Sequence, residues 1–158
     1  MSSLLVQSCS QSKIKPGEPV SALELYSGFF YKIIKKARRD NEFDYNIDLR
    51  ILSAEHGIIH PDTEIEWYDR RMDRARAQEL APAVQRQLKQ ISPEYDHIII
   101  NAGKTYRESV KGIGEEIEHE VYYITGSGIG DKGNVLKRLV RGMTDAQTDP
   151  AIIKNPSQ

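Results

Sequence analysis

His97-Ile98-Ile99-Ile100-Asn101-Ala102-Gly103 is the stretch on which the fold turns. Three consecutive isoleucines leave no polar face, so a strand here is buried on both sides, as strands are in parallel sheets covered by helices. Pro93 before the run and Gly103 after it bound the strand. Upstream, Leu80, Val84, Leu88 and Ile91 share one stripe of a helix over Asp73 to Ile91, which Pro82 is expected to kink or divide. Downstream, Lys104 to Lys111 suits a short helix and Glu120 to Thr125 a further strand, which empties into Gly126-Ser127-Gly128-Ile129-Gly130. Val135, Leu136, Leu139 and Val140 mark a last helix.

The N-terminal half has the same alternation. Leu4 to Ser8 reads as a short buried strand, followed by a loop from Cys9 to Pro19. Ser21 with Glu24 three residues on has the form of a capping box, opening one helix with Leu23, Tyr26, Phe30, Ile33 and Ala37 on its apolar stripe. Its other face carries Lys32, Lys35, Lys36, Arg38 and Arg39. Ile47 to Leu52 alternates apolar and charged residues as a second strand would. Strands alternating with helices predict an α/β fold: three layers, a mostly parallel four- or five-stranded sheet, and helices on both faces. Residues 4–143 are expected to form a single domain and residues 144–158 a flexible C-terminal tail.

A chain of 158 residues is long enough for one substantial core, whereas two would each be marginal. The 22 basic residues nearly cancel the 23 acidic ones, so any site for a polyanion is a local patch. The single cysteine, Cys9, excludes an internal disulfide and argues against structural zinc, and no metal-ligand set or cofactor is specified. Leu4-Leu5-Val6 is too brief for a signal sequence, and no apolar run approaches the roughly 20 residues that span a bilayer. A cytoplasmic location without membrane contact is the expectation; the oligomeric state is not specified.

Ligands of parallel sheets bind beyond the carboxyl ends of the strands, which brings four turns together. In the first, Cys9 lies between Ser8 and Ser10 and four residues before Lys13. A cation there favours a thiolate nucleophile, while the alternative is a small cysteine packed at a strand end. In the second, Ser53-Ala54-Glu55-His56-Gly57, a carboxylate and an imidazole stand ready for proton transfer, unless His56 only caps a turn and Glu55 is solvated. In the third, Asn101-Ala102-Gly103-Lys104-Thr105-Tyr106 is either an anion site at a helix start, helped by Lys104 and Arg107, or a tight turn using Gly103. In the fourth, Gly126, Gly128 and Gly130 with Lys132 beyond them suit phosphate contact more than a plain flexible loop, although the spacing is neither Walker A nor a full dinucleotide fingerprint. The only tryptophan, Trp67, sits beside Tyr68 in an aperiodic segment. Such aromatics either stack on a ligand ring or fold back to close a core edge, and the second is expected.

Several phrases together resemble an uncharacterised YaaA-like domain family of bacteria, archaea and phages, of the DUF6884 type. They are Ser8-Cys9-Ser10 with Lys13, Ala22 with Leu25-Tyr26-Ser27 and Phe30, Ile51 through Ile59, Tyr68-Asp69, and Ala102-Gly103-Lys104 with Tyr106. Cys9 with Lys13 is also similar to a signature in the core domain of archaeosine synthase, a tRNA base-modifying enzyme, with Ser8 and Ile14-Lys15 departing from that pattern. The more distant likeness to YaaA peroxide-stress proteins implies DNA binding. The leading expectation is an enzyme acting on a nucleotide, nucleobase or nucleic-acid base, with Cys9 or Glu55 reacting, His56 in proton transfer and Lys13, Lys104 and Lys132 gathering phosphate. The alternative is a non-catalytic, YaaA-like DNA-binding stress-response protein that uses the same cations and the basic face of the first helix. A small-ligand sensor or partner-binding module is a third reading.

Overall fold

Two strands of the sheet are buried almost end to end: β1 (Ser3–Ser8) and β6 (His97–Asn101). The computed structural model describes residues 2–117 and 120–154 and places these strands side by side in parallel at the centre. Between them in the chain come β2 (Val20–Ser21), α1 (Ala22–Leu25), α2 (Phe29–Arg39), β3 (Ile47–Ser53), β4 (Gly57–Ile59), β5 (Glu64–Ile65) and α3 (Arg74–Ile91). After β6 follow α4 (Lys104–Arg107), a single 3-10 turn (Glu108–Val110), α5 (Ile113–Glu116), β7 (Glu120–Ile124), α6 (Ile129–Val140) and β8 (Ile152–Ile153).

The sheet has six strands in the order β4-β3-β1-β6-β7-β8, one more than the four or five expected. Its four inner strands are parallel, and the short edge strands β4 and β8 run antiparallel. α2 packs with α6, while α3 packs with α4, as right-handed crossovers on opposite faces require. The buried stripes Tyr31, Ile34 and Ala37 of α2 and Ala77, Leu80, Val84 and Leu88 of α3 belong to the same hydrophobic core as the isoleucines of β6. Each such aliphatic side chain contributes roughly 1.5–3 kcal/mol by leaving water.

The chain goes from β1 outward to β3 by one face and later from β6 outward to β7 by the other. The sheet order therefore reverses between β1 and β6, where the two departing loops diverge and open a crevice.

Three local expectations meet a different outcome. α3 runs unbroken through Pro82. The helix expected from Ser21 does begin with the Ser21 hydroxyl accepting the Glu24 amide at 3.2 Å, but it stops after one turn. Tyr26 is extended and bridges to Lys13, the Ile14 and Ser27 amides bond to the carbonyls of Leu25 and Ser12, and the Gly28 amide donates to the Ser10 hydroxyl. A side chain at Gly28 would meet the Ser10 side chain at 2.5 Å, so the break and the Cys9 loop are fitted to each other. Within the stretch expected to be a tail from Thr144, Ile152–Ile153 join the sheet and Ala146, Asp149 and Ile152 are buried. β8 pairs with β7, and Asp149 accepts from Arg138, Thr144 and the Ala151 amide at 2.9–3.0 Å. Burial raises the Asp149 carboxyl, but these bonds outweigh it and hold the group below its ordinary range. Residues 155–158 lie outside the described residues.

Gly57, which begins β4, has φ +74°, and an added Cβ would stand 3.1 Å from the Gln87 side-chain oxygen that accepts the Ile58 amide. Gly57→Ala is expected to cost about 1–2 kcal/mol, the strain of a left-handed backbone with a side chain. Urea unfolding checks this: the midpoint should fall with an unchanged m value. No helix among the described residues is long and apolar enough to cross a membrane.

Candidate functional site

Below the crevice lies a layer of hydroxyl groups. Ser53 ends β3 and is fully buried; its oxygen accepts the amides of Glu55 and His56, each at 3.1 Å, which folds the second turn tightly over it. The Tyr26 hydroxyl donates to Ser53 at 3.2 Å, Tyr68 stands 3.1 Å from Ser53, and the two phenols are 2.7 Å apart. Three hydroxyls thus close a triangle in which each can donate to the next. Tyr31 donates to the Ser8 carbonyl at 2.9 Å and packs against the Tyr26 ring. Burial, then the proximity of Cys9, pushes Tyr26 up to about 12 and likewise raises Tyr31, Tyr68 and Tyr106. All four phenols are therefore neutral donors at physiological pH.

Above this layer, the Cys9 sulfur lies 3.1 Å from the Tyr106 hydroxyl. The pair joins the loop after β1 to α4 across the switch point. Around it opens a cleft of about 270 Å³, lined on one side by Ser10, Gln11 and Lys13, on another by Gly103, Lys104 and Thr105, and roofed by Arg70, Arg71 and Met72. Four of these lining side chains are cations and none is a carboxylate. The nearest acid engaged there is Glu55, which pairs with Arg70 at 3.3 Å.

Of the four turns expected to converge, two build the cleft. Cys9, Ser10, Lys13, Gly103, Lys104 and Tyr106 line it. Ser8 is buried and the Ser10 hydroxyl donates to the Ser12 carbonyl, so both brace the loop. Ser53 supports the floor through Tyr68, whose ring faces Lys13 at 4.5 Å. Glu55 reaches the rim by pairing with the lining residue Arg70, while His56 is exposed with its ring edge-on to Tyr68 at 5.7 Å; neither is itself part of the cleft lining. Asn101, 1% exposed, donates to the Gln7 side chain at 2.8 Å inside the sheet. Gly126, Gly128, Gly130 and Lys132 sit at the same end of the sheet beyond β7, outside the cleft lining. There Asp131 accepts from the Ser127 amide at 3.2 Å and from its hydroxyl, so a carboxylate already occupies the first turn of α6. Burial and then the charge of Arg107 lower Lys132.

Residues 4–138 match the model of a family described as a family of unknown function, DUF6884. The chain belongs to the DUF6884 family. No curated protein matches it. The fold of this DUF6884 domain is similar to that in the crystal structure of AF0587, a protein of unknown function, with a TM-score of 0.53 and 14% identity over 87% of this chain and 44% of AF0587. The chain thus spans less than half the length of AF0587, and at that identity the likeness is one of fold alone.

Sequence reasoning missed Tyr26 and Tyr68 as hydroxyl donors and Arg70 and Arg71 as cleft cations. Tyr26 fits a helical stripe, in which an aromatic ring counts as apolar. Arg70-Arg71 lay in an aperiodic segment, where only the charge pair itself offered a signal. Trp67, expected to close a core edge, is 42% exposed with the Lys15 ammonium 4.9 Å from its ring centre. Among the described residues no three His, Cys, Asp or Glu side chains cluster as metal ligands.

Proposed function

We propose that this DUF6884 domain is an enzyme acting on a nucleotide, nucleobase or nucleic-acid base, with the ligand's phosphate held in the cleft at the β1–β6 switch point. The observation that carries this reading is the Cys9–Tyr106 pair at 3.1 Å in a cleft whose charged lining is entirely cationic: Lys13, Arg70, Arg71 and Lys104. Charge of one sign in a concave site concentrates anions and strengthens as water is displaced. In this reading Cys9 is the reacting group, and Tyr106, kept neutral by burial and by Cys9, supplies the adjacent hydrogen bond. Glu55 orients Arg70, and His56 has access to protons from solvent at the rim. The similarity of Cys9 and Lys13 to the archaeosine synthase signature points toward base chemistry as well.

The non-catalytic, YaaA-like DNA-binding reading calls for a basic stripe on a convex face, for which α2 is the candidate. There Lys35 turns inward to the carbonyls of Glu24 and Tyr26, Lys36 pairs with Asp40, and Arg38 lies over the Phe43 ring. Arg70 and Lys13 of the cleft are engaged in similar ways, by Glu55 and by the Tyr68 ring, so what favours the cleft over the stripe as the anion site is its concave lining of four cations with no carboxylate.

Calorimetry at low salt with nucleotides and short oligonucleotides, paired with the rate of Cys9 alkylation by iodoacetamide, tests the proposal. Binding should weaken as salt rises. At roughly ten times Kd the ligand should slow alkylation about tenfold by covering the thiol. No binding by any compound, with alkylation unaffected throughout, would overturn the reading.

A further inference from the structure

Trp67 is one of three large aromatics, with Phe29 and Tyr45, that stand well exposed among the described residues, although Ile65 and Tyr68 beside it in the chain are both buried. The Lys15 ammonium stands 4.9 Å from the Trp67 ring centre. One step nearer the cleft, the Lys13 ammonium faces the Tyr68 ring at 4.5 Å in the same manner. The two cation–ring pairs are neighbours along the chain, Lys13 with Tyr68 and Lys15 with Trp67, and of these four residues Lys13 lines the cleft. Two residues of extended chain span at most about 7 Å. A nucleoside monophosphate bridges a comparable span between its phosphate and its base.

We infer that Trp67 and Lys15 form a ring-binding subsite beside the cationic cleft, and that the ligand is a nucleoside phosphate whose base lies against the Trp67 indole while its phosphate sits among Lys13, Arg70, Arg71 and Lys104. This rests on the phosphate-cleft reading proposed above and adds to it the group that recognises the base. A planar heteroaromatic ring gains from stacking on an indole, and the cation beside it adds charge for the same ligand. A sugar phosphate would fill the cleft and leave the subsite empty.

Trp67 is the sole tryptophan, so its fluorescence reports on this subsite in the intact protein. Titration at low salt would compare the four common nucleoside monophosphates with ribose phosphate and inorganic phosphate. Nucleotides should quench the fluorescence and bind about tenfold more tightly than ribose phosphate, the usual weight of one stacked base. Trp67→Ala, followed by protection of Cys9 from alkylation, should bring nucleotides down to the affinity of ribose phosphate, and Lys15→Gln should move them part of the way. Both side chains lie at the surface, so neither change threatens the fold. Equal binding of nucleotides and ribose phosphate by the unsubstituted protein would overturn the subsite while leaving the phosphate cleft standing. A nucleotide preference that survives Trp67→Ala would also overturn it. Failure of every compound to bind or to protect Cys9 would overturn the subsite and the cleft reading together.

Discussion

Ser53→Ala is expected to lower the unfolding free energy by about 3 kcal/mol, far more than the loss of one small atom from a core would suggest. The side chain is fully buried, and its oxygen is where the Glu55 and His56 amides and the Tyr26 and Tyr68 hydroxyls meet. Alanine leaves almost no cavity, so the transfer and packing terms are minor. What remains is a set of donors buried without an acceptor, and each such group costs about 1–3 kcal/mol. The two phenols retain each other at 2.7 Å, which limits the damage to the two amides and the strain of the turn. Tyr68→Phe, which leaves Ser53 with Tyr26 and both amides, should cost only about 1 kcal/mol. Urea unfolding of the two variants gives the comparison; equal losses would mean that the hydroxyl triangle, not the turn, carries the energy.

Raising the pH should unfold the protein steeply above about pH 10. Tyr26, Tyr31, Tyr68 and Tyr106 all have their ionisation raised by burial first and by the proximity of Cys9 second, Tyr26 to about 12. The sign follows from proton counting. Below the unfolded value near 10, both states hold the phenolic proton and the stabilisation is present in full. Above it the unfolded chain gives up protons that the native state keeps, so stability falls by about 1.4 kcal/mol per unit of pH for each such tyrosine. With several of them acting together, a domain of ordinary stability is lost between about pH 10 and 12. Phenolate absorbance and circular dichroism followed together are the measurement. These phenols should ionise only as the helices melt. Full ionisation near pH 10 with the secondary structure intact would show that the hydroxyl layer is open to water.

Much of the architecture was legible from local pattern. The isoleucine run of β6 announced a strand covered on both faces, and the stripe from Leu80 to Leu88 announced the helix that covers it. The alternation of strands and helices then implied a parallel sheet and so a common end for the turns. Cys9, Lys13, Lys104 and Tyr106 could be named in advance because they follow the two strands that became the centre of the sheet.

Strand order, and with it the composition of the site, was decided only by the tertiary structure. Periodicity reports which face of an element is buried, and Tyr26 satisfied a helical stripe as well as any aliphatic residue; nothing local revealed that its hydroxyl meets Ser53 and Tyr68. The break before Gly28 depends on the approach of Ser10, eighteen residues away in the chain. Cys9 meets Tyr106 across ninety-seven residues because β1 lies next to β6, whereas the glycine turn after β7 stands one strand further out and misses the cleft. Which residues lie at the carboxyl ends of strands follows from the periodicity along the chain, because each strand is a local pattern of apolar residues bounded by turn residues. Which of them face one another depends on how the faces of separate elements exclude water together, and that is a property of the packed chain alone.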